Sequence, residues 1–158
     1  MPREECIYRI GDNPEIVLTG GFRYLDHMTD AVIEAYGSTL EEAFEYAAKG
    51  LNDTMIDLST VKPDTKVEII ASGHDTFSLL FDWLDKVMLL LVADGMVMSE
   101  FKARITRKGG YALKGYAMGE KLDLTRHKYK VEIKAVTYHE MQVIEEPAGA
   151  TVRFLLDL

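Results

Sequence analysis

Residues 101–118 read FKARITRKGGYALKGYAM, with apolar Phe101, Ala103 and Ile105 alternating with polar Lys102, Arg104 and Thr106. Alternation of this kind sends one set of side chains to a core and the other to water. Gly109 and Gly110 then supply the backbone freedom of a hairpin turn into Tyr111–Met118. The stretch predicts two antiparallel strands.

Working outward, Val131, Ile133, Ala135 and Thr137 oppose Glu132, Lys134, Val136 and Tyr138, and after Pro147 the chain closes with Val152, Phe154 and Leu156. A further pair of strands is expected there. On the other side, Asp75 to Asp94 carries Phe77, Leu80, Phe81, Leu84, Val87, Met88 and Leu91 at helical spacing, widened by Leu79, Trp83 and Leu90, with Gly95 as the residue after the helix. Lys66 to Ser72 alternates as a strand, following the punctuation of Pro63, Asp64 and Thr65. Ser38 with Glu41 fits a capping box, and Leu40, Ala43, Phe44, Ala47, Leu51 and Met55 form the buried stripe of the helix it opens, with Glu41, Glu42 and Glu45 toward water. Phe22 to Tyr36 reads as extended, placing Asp26, Met28 and Asp30 on one face. Before it, Cys6–Ile10 and Glu15–Leu18 flank the turn formers Gly11, Asp12, Asn13 and Pro14. The expected architecture is α+β: two main helices packed on a largely antiparallel or mixed sheet, with an extra N-terminal hairpin over residues 1–21 ahead of a domain over 22–158.

Composition narrows function. Lys and Arg number 18 against 26 Asp and Glu, a formal charge of −8, so the overall field repels phosphate and direct strong nucleic-acid binding is not expected. A basic or cation-bearing partner is favoured by the same field. The single cysteine, Cys6, and a start without an apolar leader predict a reduced, cytoplasmic protein. The longest apolar run, Val87 to Ala93, is too short to span a bilayer.

Phosphate-binding loops, Cys-x-x-Cys pairs, His-Glu-x-x-His helices and nucleophile elbows are absent. What remains is oxygen chemistry: Asp26 and Asp30, Glu120 and Asp123, and Asp157 beside the terminal carboxylate of Leu158. Were Asp30 and Asp157 to meet, their charges would repel unless a cation or proton lay between them, and such oxygens select calcium, magnesium or manganese over zinc. The plainer alternative is strand-end carboxylates in water. Arg126 and His127 beside Glu120 and Asp123 make either a salt-linked loop or a wall of a metal site. Lys134 reads as a solvated strand lysine or as a contact for phosphate or an acidic partner. His139 is expected on an apolar face, as a hydrogen-bonded structural residue, and His27 away from Asp26 and Asp30.

Taken together, Tyr24-Leu25-Asp26-His27-Met28-Thr29-Asp30, Ala35-Tyr36-Gly37, Thr39-Leu40-Glu41-Glu42-Ala43-Phe44, Asp82-Trp83-Leu84, Gly119-Glu120 with Asp123 and Arg126-His127, Lys134-Ala135-Val136-Thr137-Tyr138-His139 and Leu155-Leu156-Asp157-Leu158 resemble the archease family in order and spacing from Arg23 onward. Met28-Thr29 stands where the family signature has Thr-Ala, which moves the hydroxyl by one residue. The resemblance implies an accessory protein, not an enzyme: one that promotes guanylylation and repeated turnover of the GTP-dependent tRNA-splicing RNA ligase of the RtcB type. It implies metal-binding positions Asp30, Asp157 and Leu158, with calcium first and magnesium or manganese as alternatives, and Asp26 and Lys134 facing the partner. Alternative readings are a small metal-dependent phosphoesterase or hydrolase, and a chaperone or modulator of tRNA-modifying methyltransferases.

Overall fold

The computed structural model describes residues 20–25 and 30–158, so the hairpin expected over 1–21 lies outside the described residues apart from Gly20 and Gly21. In chain order the elements are β1 (Gly21–Leu25), β2 (Ala31–Gly37), α1 (Leu40–Met55), a 3-10 turn at Leu58–Thr60, β3 (Thr65–Gly73), α2 (Thr76–Val92), β4 (Met96–Arg107), β5 (Tyr111–Lys121), β6 (Ala135–Glu146) and β7 (Gly149–Asp157). The strands form two antiparallel sheets, ordered β1-β2-β7-β6 and β3-β5-β4. Each helix touches both sheets. The fold is α+β, with the two predicted helices packed on antiparallel sheets.

The opening motif folds as read: Phe101, Leu113 and Ala117 are buried, Lys102, Arg104 and Lys114 are exposed, and Arg107 pairs with Tyr111 across a turn in which Gly109 and Gly110 take φ of 62° and 128°. Positive φ is what glycine tolerates there.

Helix α1 buries the expected stripe of Leu40, Ala43, Phe44, Ala47, Leu51 and Met55. Its cap sits one residue later than Ser38: the Thr39 hydroxyl accepts the Glu42 N–H at 3.1 Å, and Glu42 accepts the Ser38 N–H at 2.6 Å. The same four-residue spacing recurs shifted by one, and the extended backbone at Thr39 selects it. Glu41 and Glu45 do more than face water. Their carboxylates accept the outward N–H groups of Ile105 and Ala103 at 3.4 and 2.9 Å, while Asn52 accepts from Met98 at 3.2 Å. Side chains of α1 thus occupy an edge of β4 that would otherwise offer unpaired donors.

Helix α2 starts with a capping box between Asp75 and Ser78. Ala93 ends the helix, and Gly95, at φ 66°, stands beyond it. Leu79, Leu80, Trp83, Leu84, Val87, Met88 and Leu91 are buried, whereas Phe77 is exposed and Phe81 stacks on Tyr138 at 4.4 Å between ring centroids. Trp83 is fully buried and donates its indole N–H to the Phe44 carbonyl at 2.9 Å, locking the two helices together.

Strand β6 departs from simple alternation. Ile133 and Val136 are both buried, and His139 is exposed, contrary to the face predicted for it. The ladder starts only at Ala135, after an irregular segment, and breaks again between Thr137 and Gln142, where Glu140 takes φ 59°. An irregularity of this kind reverses which residues face inward.

Replacing Trp83 by Ala removes the largest buried side chain at the junction of both helices. The expected cost is about 3–5 kcal/mol in urea unfolding; a loss below about 1 kcal/mol would contradict the packing described.

Candidate functional site

The central pair of the four-stranded sheet decides where the candidate ligands meet. Strand β2 runs antiparallel to β7 from Ala31↔Leu156 to Gly37↔Ala150. Asp30 immediately precedes Ala31, so it leaves the ladder beside Asp157 and Leu158. On the other side of β7, Ala135 pairs with Asp157 and the Lys134 N–H donates to the Asp157 carbonyl at 2.7 Å. One end of one sheet therefore gathers Asp30, Asp157, Leu158 and Lys134. Asp157 and Lys134 are exposed, and Asp30 and Leu158 half-buried. Asp26 and His27 lie outside the described residues.

Among the described residues, the side chains with metal-binding oxygens at this end are the carboxylates of Asp30 and Asp157. Carboxylate and main-chain oxygens are hard donors, of the kind calcium, magnesium and manganese accept. Among the described residues, no group of three or more His, Cys, Asp or Glu side chains is placed to hold a metal. Any ion at this end would thus rely on Asp30, Asp157 and main-chain oxygen together.

The second group of candidates is placed differently. Glu120 takes two hydrogen bonds from the Arg126 guanidinium, both at 2.8 Å, one from His127 Nε2 at 2.8 Å and one from the Lys62 N–H at 2.8 Å. His127 is fully buried, and its Nδ1 accepts the Asp123 N–H at 2.9 Å, which leaves the proton on Nε2 for Glu120. Asp123 accepts from the Thr125 hydroxyl and N–H at 2.6 and 3.0 Å. Both oxygens of Glu120 are occupied, so this group closes the loop after β5 as a salt-linked latch, and Glu120 is committed to it. Of the two readings of Arg126 and His127, the geometry favours the structural one.

The model of the Archease protein family (MTH1598/TM1083) matches residues 22–158. The chain belongs to the archease family. It is 38% identical over 129 residues to an archease of Pyrococcus furiosus, covering 81% of this chain and 91% of that protein. With an archease of Thermococcus gammatolerans it shares 38% identity over 139 residues, 87% of this chain and 98% of the relative. The solution structure of Methanobacterium thermoautotrophicum protein 1598 superposes with a TM-score of 0.76 at 36% identity, covering 87% of this chain and 99% of that one. A crystal structure from Thermotoga maritima, described as an "archease, possible chaperone", shares the fold with a TM-score of 0.55 at 20% identity, covering 96% of this chain and all of the other.

The archease match takes in every candidate residue and begins one residue after the predicted extension. Within it, a part-buried hydrogen-bonded group escaped the sequence reading. Tyr24 donates to Asp53 at 3.0 Å, and Lys130 reaches the same carboxylate oxygen at 3.3 Å. Burial pushes the Tyr24 phenol above its ordinary range, and the adjacent Asp53 carboxylate adds to the shift. Asp53 sits near the end of α1 with its side chain only 9% exposed, and the loop carrying Lys130 is pinned there by the Lys130 N–H to the Met55 carbonyl at 2.7 Å. The only sequence signal was an aspartate at a buried position of a helix, which periodicity alone places on neither face.

Hydrogen bonds from Arg126 first, then His127 and the Lys62 N–H, hold the Glu120 carboxyl well below the usual carboxylate range. A depressed native pKa means that the unfolded state takes up protons first as pH falls. The stabilisation is therefore whole above the unfolded value of about 4.3 and is lost as pH drops below it. Glu120→Gln should flatten the dependence of unfolding free energy on pH in the window below about pH 4.5; parallel profiles for parent and variant would show that the latch carries no such linkage.

Proposed function

We propose that the chain is a metal-binding accessory protein that activates a GTP-dependent tRNA-splicing RNA ligase of the RtcB type, promoting its guanylylation and repeated turnover. The observation that carries this reading is the meeting of Asp30, Asp157 and Leu158 at one end of the β2–β7 ladder, within a chain of the archease family. These groups would hold a divalent cation through oxygen alone, calcium first and magnesium or manganese next. Such an ion supplies neutralisation of the paired carboxylates and a fixed positive centre at the surface. Lys134, just ahead of the neighbouring strand β6, presents an exposed ammonium to an acidic or phosphorylated surface of the partner. Asp26 is proposed as a further contact to the partner, on the likeness of its sequence motif to the family. Glu120, Asp123, Arg126 and His127 act at one remove, by fixing the loop that leads to Lys134.

Activation needs no chemistry by this chain. Tighter binding of a minor, competent state of the ligase raises the population of that state, and differential affinity is sufficient. A chaperone-like role, as the Thermotoga maritima relative's description suggests for that protein, is compatible with stabilising a partner's conformation.

The test is single-turnover guanylylation of the ligase with labelled GTP, with and without this protein. Asp30→Ala should lower the stimulation by about tenfold or more, a loss typical of removing a metal's support, with the circular dichroism spectrum unchanged. Equal stimulation by variant and parent would overturn the proposal. Turnover of GTP or a phosphoester by this chain alone, lost on chelation, would transfer the site to a metal-dependent hydrolase.

A further inference from the structure

The outer face of the β3-β5-β4 sheet points away from both helices, and its side chains follow the period of the strands. Lys66, Lys102, Arg104 and Lys114 are exposed there, against Glu68 and Glu100. Register fixes their neighbours: Lys102 lies opposite Tyr116, Arg104 opposite Lys114, and Lys66 opposite Met118, one pair along from Tyr116. The Lys66 ammonium stands 4.4 Å from the centroid of the Tyr116 ring. An open depression of about 270 Å³ is lined by Lys102, Arg104, Lys114 and Tyr116, with Ala103 and Gly115 between them. Among the described residues, no salt bridge engages any of these cations.

A formal charge of −8 makes this gathering of cations unexpected, and the net charge governs only distant approach. At physiological ionic strength fields are screened beyond about 8 Å, so a bound ligand responds to the charges beneath it: Glu68, opposite Tyr116, and Glu45, whose carboxylate accepts the Ala103 N–H beside Lys102, offset part of the field of the four cations, while distant carboxylates do not. Lysines and an arginine around one aromatic ring on an open sheet match a single-stranded nucleic acid: the cations take phosphates, and the ring offers a π-face on which any base can stack. The Tyr116 face already accepts a cation. Lys66 would move from the ring to a neighbouring phosphate as a base replaces it. An acidic protein would use the cations but has no need of the ring.

We propose that this sheet face is a binding platform for single-stranded nucleic acid, with Lys66, Lys102, Arg104 and Lys114 on the phosphates and Tyr116 under a base. It is independent of the carboxylate end of β2 and β7 and of the ligase reading.

The test is fluorescence anisotropy of the full chain with a labelled single-stranded oligoribonucleotide of about ten nucleotides, against a matched deoxyoligonucleotide, a duplex and polyglutamate. Affinity for the single strands should fall with salt at a logarithmic slope of roughly −3, as expected when about four phosphates are neutralised. Lys102→Glu with Lys114→Glu should weaken binding by about tenfold or more, while Lys49→Glu with Lys128→Glu, equal in net charge, should weaken it by about twofold or less. Tyr116→Ala should weaken it without changing the slope. Absence of binding, equal losses in the two double variants, preference for the duplex, or polyglutamate binding as tightly with no effect of Tyr116→Ala would each overturn the proposal. Whether RNA or DNA binds more tightly identifies the source of the strand.

Discussion

Pairing of β2 with β7 is the constraint on which the remaining structure depends. It joins segments more than a hundred positions apart along the chain and makes them the two inner strands of the four-stranded sheet. On the inner face, Ile33, Ala35, Phe154 and Leu156 are buried to near zero exposure, against helix α1. On the outer face, Glu34 receives Arg153 at 3.0 Å and Arg23 at 3.1 Å, a row of charges across β7, β2 and β1. A carboxylate only 7% exposed is costly unless its oxygens are taken, and here both are. Buried side chains on both faces, Val32, Tyr36 and Leu155 beside Glu34 included, make the pairing strong, and the charged row helps to hold its register. A slip by one residue would turn both faces over.

Everything at the carboxylate end follows from that register. The irregular segment between β5 and β6 is fastened at its start by Glu120, Arg126 and His127, in its middle by Lys130 to Asp53 and to the Met55 carbonyl, and at its end by the Lys134 N–H to Asp157. Tyr24 closes the circuit, since the same Asp53 holds the end of β1 just ahead of Asp26. The acidic residues thus divide into two kinds. Glu120 and Asp53 fasten the loop after β5 and the end of α1, and Asp30 and Asp157 lie at the end of the β2–β7 ladder.

Much of the fold was legible. Strands β4 and β5 could be read because one face is solvated and the alternation is clean; helices α1 and α2 could be read because their stripes persist over several turns. Strand β6 was misread at Val136 and His139 because an irregular start and a bulge break the parity that pattern reading assumes. Glu41 and Glu45 looked like solvent-facing helix residues, and only the tertiary approach of β4 reveals them as acceptors for a sheet edge. The carboxylate end was legible as residue types and by likeness to a family, but not by spacing, since no local pattern brings position 30 to position 157. Tyr24, Asp53 and Lys130 were missed for the same reason: each is ordinary in its own segment, and their relation exists only in three dimensions.

The central claim is that Asp30, Asp157 and the main-chain oxygen of Leu158 share one hard ion. A crystal structure of the chain grown with calcium tests this most directly. Calcium bound by both carboxylates and the Leu158 oxygen at about 2.3–2.6 Å is the predicted result. Calcium held instead by Glu120 and Asp123, or none at the Asp30 end while the fold is unchanged, would contradict it.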